Sequence, residues 1–195
     1  MENRLQKIMN FILELDKLKG IMRQTYILKG ERKENDAEHS WHLAICAILL
    51  AEYSNEPVDI LKVLKMVLLH DVIEIDAGDT YCYDAESNKT KEEREKKAAK
   101  RIYGLLPDDF SSELSSLWEE FELAESAEAK FAHALDRIQP FILNVNSKGI
   151  SWKEHDVDSS MVLNRMVAVK DGSDELWEHI KDGINNCVEN GFLKK

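Results

Sequence analysis

The chain has 195 residues, 44% of them apolar, with only three prolines and eight glycines, which is material for one folded core and little disordered linker. Its formal charge of -11, from 37 acids against 26 bases, repels nucleic acid and anionic membrane, so a small anionic ligand would need a locally positive site. Charges throughout the first 20 residues exclude the apolar core of a signal peptide, and the longest charge-free apolar stretch, 39–51, is too short for a membrane span.

In chain order, Leu5, Ile8, Met9, Ile12, Leu15 and Leu18 recur at spacings of three and four, which predicts an amphipathic helix over 2–19 ended by Gly20. A polar connection, "LKGERKENDAEHS", leads to a second helix over about 40–52, apolar enough to be buried nearly all round. A third helix is expected over 58–75, stopping before Ala77-Gly78-Asp79. Thr90 with Glu93 three residues later reads as a capping box opening a charged, solvated helix. Further helices are expected over about 109–121, 126–147, 157–170 and 173–190, the last ended by Gly191. The predicted architecture is an all-α, single-domain bundle of seven or eight helices. Cys46, Cys82 and Cys187 are odd in number and lack CxxC spacing, which fits free thiols and a cytoplasmic setting.

The stretch "LLHDVIEIDAGD", 68–79, places His70-Asp71 directly after an apolar run, so the pair is expected in the interior. A buried carboxylate is costly without a compensating charge, and a metal ion would supply one. Other candidate ligands also lie on apolar segments: His39 and His42 in "AEHSWH", His133 and Asp136 in "FAHALDRIQP". Mixed imidazole and carboxylate donors suit a catalytic metal better than a structural one. His42 shares a face with His39, and His133 with Asp136, but both run into core sequence and are expected to pack. Pro140 lacks the amide that would pair with the carbonyl of Asp136, so an unbroken helix should kink there. Glu74 lies one turn after His70, where a carboxylate can move a proton without being a ligand.

The order H...HD...D, set within "ENDAEHSWHLA", "LLHDVIEIDAGD", "LLPDDF", "LWEEFE" and "SAEAKFAHALDRIQPFI", resembles the HD-domain metal-dependent phosphohydrolases, nearest their 5′-deoxynucleotidase branch. The resemblance covers about 15–144, with helices over 150–195 expected to pack on that core as part of one domain. It implies one divalent metal per chain, held by His39, His70, Asp71 and Asp136, with zinc, manganese, cobalt, iron and magnesium undistinguished. It also implies an acid-base role for Glu74, a place for Asp79 in the substrate site and a phosphate contact for Arg23. Arg32 is a second candidate for the phosphate. Where the branch carries a tryptophan beside the sugar, this chain has Gln24, and Trp41 or Trp152 could fill that space instead. Asp76 has no match and is expected on the surface.

The expected function is hydrolysis of (deoxy)nucleoside 5′-monophosphates by a homodimer that binds neither nucleic acid nor membrane. Two alternatives use the same residues. One is hydrolysis of another small phosphoester or a nucleoside triphosphate, the other a non-catalytic, metal-containing nucleotide-binding regulatory module.

Overall fold

The computed structural model describes residues 3–195. The N-terminal helix α1 spans Arg4–Leu15, capped by the Asn3 side chain, and tightens into a 3₁₀ turn over Asp16–Gly20. It buries the predicted stripe only in part: Leu18 is inside beside Phe11 and Leu15 packs against them, whereas Leu5, Met9 and Ile12 face solvent. The polar connection that follows is partly a β-hairpin, β1 (Met22–Tyr26) antiparallel to β2 (Lys33–Asn35), with Met22 opposite Asn35.

Asn35 ends β2 and also caps α2 (Asp36–Leu50). Its side chain accepts from Glu38 N at 3.0 Å while Glu38 returns a bond to Asn35 N at 3.2 Å. That capping box starts the helix four residues before the expected Ser40, so His39 lies inside its first turns. The helix is not buried all round, because Trp41, Ile45, Ile48 and Leu49 are exposed on one stripe.

The expected third helix is three pieces. Asp59 caps α3 (Ile60–Leu69), a 3₁₀ turn covers His70–Ile73, and α4 (Glu74–Ala77) ends at Gly78, whose φ of +74° suits glycine. The buried Tyr103 hydroxyl donates to the Leu69 carbonyl at 2.9 Å, at the point where α3 gives way. In a 3₁₀ turn residues three apart eclipse, which brings Asp71 and Glu74 to the same side.

Short helix α5 (Ala85–Asn88) precedes α6 (Lys91–Tyr103). The Thr90 capping box does not form; its hydroxyl instead meets Arg94 Nε at 3.4 Å. Then come α7 (Asp108–Leu123) and the 20-residue α8 (Ala127–Asn146), which Ser126 caps and which runs unbroken through Pro140. Helix α9 (Ile150–Glu154) comes next, the expected helix over 157–170 is divided between α10 (Ser159–Met166) and α11 (Val169–Gly172), and α12 (Asp174–Glu189) follows its Ser173 cap.

Helix α8 is the axis of the fold, with ten buried residues, and packs against α2, α3, α7, α10, α11 and α12. Gly172 permits the close approach of α11 to α8, since a Cβ there would stand 2.5 Å from the Lys130 carbonyl oxygen. Among the described residues the bundle is all-α apart from the hairpin and an isolated bridge between Asp158 and Lys194. Its layout brings the start of α2, the end of α3 and the middle of α8 to one place.

Candidate active site

At that place His39 and Gln139 are fully buried, and His70, Asp71 and Glu74 nearly so. Gln139 donates through Nε2 to Glu34 at 2.7 Å and to His42 Nδ1 at 3.0 Å. Its amide oxygen therefore faces His39, which donates from Nδ1 at 2.8 Å. His70 Nδ1 donates in the same way to the Val67 carbonyl at 3.1 Å. Both rings thus turn Nε2 into the cluster.

There His39 Nε2 lies 3.1 Å from Asp136 Oδ1 and 3.7 Å from Asp71 Oδ2. His70 Nε2 lies 3.0 Å from Asp71 Oδ1 and 3.7 Å from Asp136 Oδ1, yet among the described residues it has no partner in hydrogen-bond geometry. Burial opposes protonation of His70, but Asp71 and Asp136 outweigh it and push the imidazole up to about 10. Burial likewise works against ionised Asp136, and the two imidazoles outweigh it, holding the carboxyl well below its usual range. Asp71 is held low by His70 and Arg23 in the same manner. Two imidazole nitrogens and two carboxylates that face one buried point are chemically suited to a divalent cation, which binds such ligands in their deprotonated forms. The orphaned His70 Nε2 and the mixed N/O donor set fit such an ion.

A second group, Asp36, Asp71 and Glu74, also has oxygens within 4.8 Å of one another. Its charge is met by Arg23, whose Nη1 donates to Asp71 Oδ2 at 2.7 Å and Asp36 Oδ1 at 3.2 Å. Burial and then the neighbouring Asp71 push Asp36 up to about 7. Glu74 is raised by burial and by the carboxylates of Asp71 and Asp36, and its Oε2 has no hydrogen-bond partner among the described residues.

A cavity of about 210 Å³ opens beside the cluster, with Arg23, Gln24, Asp71, Glu74, Asp79 and Asp136 in its wall. Burial raises Asp79 while Arg23 opposes that rise. Gln24 is in the wall, its amide oxygen held by Lys33 Nζ at 2.5 Å, and Trp152 lines the cavity from the core. Trp41 does not reach it; its ring lies on the surface against His42. Arg32 does not reach it either, because its guanidinium is engaged by Glu38 at 2.6 and 2.8 Å on the exposed side of the hairpin. Asp76 pairs with Arg101 outside the cavity. Sequence reasoning missed Gln139, Glu34 and Asp36, and the cationic wall formed by Lys91, Arg137 and Arg165. Only Gln139 carried a usable signal, three residues after Asp136 on a helix.

This arrangement, a helical bundle carrying H...HD...D at its centre, defines a class. The HD-domain family profile matches residues 15–177, and the chain belongs to that family. It is similar over the full length of both chains to the crystal structure of a predicted metal-dependent phosphohydrolase from Magnetospirillum magnetotacticum, with 47% identity and a TM-score of 0.94. It is 30% identical over 135 residues to the human 5′-deoxynucleotidase HDDC2, covering 69% of this chain and 65% of that protein. The chain thus spans just under two thirds of the length of the first such relatives it matches. The fold is shared with an HD-domain phosphohydrolase of Listeria innocua at 18% identity, TM-score 0.69 and 95% coverage of each chain.

Proposed function

We propose that the protein is a metal-dependent phosphohydrolase that converts (deoxy)nucleoside 5′-monophosphates to nucleoside and phosphate. The observation that carries this reading is the convergence of His39, His70, Asp71 and Asp136 on one buried point beside a cavity walled by both carboxylates and guanidiniums. These four side chains would hold a divalent metal, one per chain. Such an ion supplies Lewis acidity toward a phosphoryl oxygen and makes water acidic enough to attack near neutral pH.

The chain's own residues do the rest. Glu74, buried and with raised proton affinity, takes the proton of the attacking water. Asp79, raised in the same direction, stands in the wall to protonate the leaving oxygen. Arg23 neutralises charge at the phosphoryl group from the Asp71 side. Gln24 offers an amide where an apolar ring would reject a 2′-hydroxyl, so ribose and deoxyribose are separated only weakly unless Trp152, which lines the same cavity, fills that space. The nucleotide is the partner in this reading, and the setting is cytoplasmic, which the three free cysteines support. Apolar stripes left exposed on α1 (Leu5, Met9, Ile12, Leu13) and α2 support a homodimer.

Phosphate release from matched pairs such as dAMP and AMP, measured with several divalent metals, tests the reading. The parent should turn over both sugars, and Glu74→Gln should bind metal yet lose about 10²- to 10⁴-fold in rate. No release from any nucleotide, or a Glu74→Gln rate equal to the parent's, would reject the assignment.

A further inference from the structure

Arg137 and Arg165 also line the cavity, and the reading above gives them no task. Arg137 follows Asp136 on α8. Its Nη1 is fixed by His133, at 2.9 Å from Nδ1 and 3.0 Å from the His133 carbonyl, while its Nε is buried without a hydrogen-bond partner among the described residues. His133 is itself held: Nε2 donates to the Phe121 carbonyl at 2.8 Å, and the ring stacks on Phe121 with centroids 4.2 Å apart. With its proton on Nε2, the imidazole presents a lone pair at Nδ1 to the guanidinium. His133 thus aims Arg137.

Arg165, in the last turn of α10, approaches Asp136 Oδ2 to 3.9 Å, too far for a hydrogen bond. Among the described residues this is the one ion pair that either arginine makes. Two guanidiniums facing one cavity repel each other, and an anion between them removes that cost. Arg23 is different, because Asp71 and Asp36 already hold it.

We infer that Arg137 and Arg165 form a phosphoryl-binding pair on the Asp136 side of the site and, with Arg23 on the Asp71 side, clamp the scissile phosphoryl group of the substrate. The place follows from Asp136: an anion held beside a metal ligand is within reach of the metal position. The inference rests on the phosphohydrolase reading and narrows it. Three guanidiniums match the three non-bridging oxygens of a phosphomonoester better than the two of a diester.

Orthophosphate, the expected product, is the probe. Its affinity for the metal-loaded protein is measured by calorimetry for the parent, Arg137→Gln, Arg165→Gln and Arg165→Lys, with metal content determined in each. Each Gln variant should weaken phosphate binding about ten- to a hundredfold, the factor for a lost charged hydrogen bond, and raise KM for a nucleotide more than it lowers kcat. Arg165→Lys, keeping charge without the fork, should recover part of the loss. Unchanged phosphate affinity in both Gln variants would overturn the inference. So would loss of metal from Arg165→Gln, since Arg165 would then act by orienting Asp136. If the parent hydrolyses no nucleotide but both Gln variants lose phosphate, the anion subsite stands and the hydrolase reading falls.

Discussion

Four histidines lie in or beside the site, and what separates them is the partner of the second ring nitrogen. His39 and His70 spend Nδ1 on Gln139 and on the Val67 carbonyl, which leaves Nε2 for the cluster. His42 accepts from Gln139, and His133 is fixed at both nitrogens, by Phe121 and Arg137. Sequence spacing alone could not make that distinction, because His42 and His133 sit one turn from a proposed ligand. It follows that Asp136→Ala should lose metal, with affinity falling tenfold or more as His39 and His70 lose their shared carboxylate. His42→Ala should keep close to one ion per chain. Elemental analysis of gel-filtered protein checks both, and full metal content in Asp136→Ala would remove that residue from the ligand set.

Elements set where those side chains point. Helix α2 begins at Asp36 because Asn35 and Glu38 close a capping box, and that early start carries His39 into the bundle. Asn35 is also the last residue of β2, so one side chain joins hairpin and helix. Asn35→Ala should cost about 1 kcal/mol, or roughly 2–4 °C in Tm for a chain of this size, read by thermal unfolding. An unchanged Tm would mean that packing alone fixes the start of α2. The long helices with clear periodicity, α7, α8 and α12, were legible from sequence to within a few residues. The hairpin was not, because five- and three-residue strands rich in charge show no alternation. Nor could periodicity show that the HD pair sits in a 3₁₀ turn, since an apolar run into His70 reads equally as a longer α-helix. The exposed stripe of α2 was misread for a related reason: an apolar helix face has one sequence signature whether it meets a core or a second surface. The order H...HD...D was legible because its members form a recognisable pattern along the chain, whereas Arg137 and Arg165 belong to no motif and meet only in the folded chain.

The molecule as a whole concentrates proton-binding groups at its centre beneath a surface that is already anionic, and both features bear on stability in the same direction. In the metal-free protein His70 is raised to about 10, above its unfolded value near 6.5. Its contribution is therefore complete below pH 6.5 and is lost as pH rises through about 10. Glu34 and Asp36 are raised to about 7, in both cases chiefly by burial, so the folded state loses stability relative to the unfolded chain as pH climbs from about 4 through 7. The net charge of -11 adds repulsion that grows with further deprotonation. Asp71 and Asp136 are depressed and act oppositely, but only at acid pH, where their ionised forms are lost. Chelator-treated protein should thus lose Tm steadily between pH 6 and 9. With a divalent metal bound, the ligands are already deprotonated and the ion stabilises the native state by mass action, so the slope should be shallower. Salt separates the two contributions, since about 1 M ionic strength screens surface repulsion over a few ångströms but leaves the buried groups largely unscreened. Calorimetry across that pH range, with and without metal and at low and high salt, makes the comparison. If the metal-free slope disappeared in high salt, surface charge alone would explain it, and the buried cluster could not be the proton-linked centre described here.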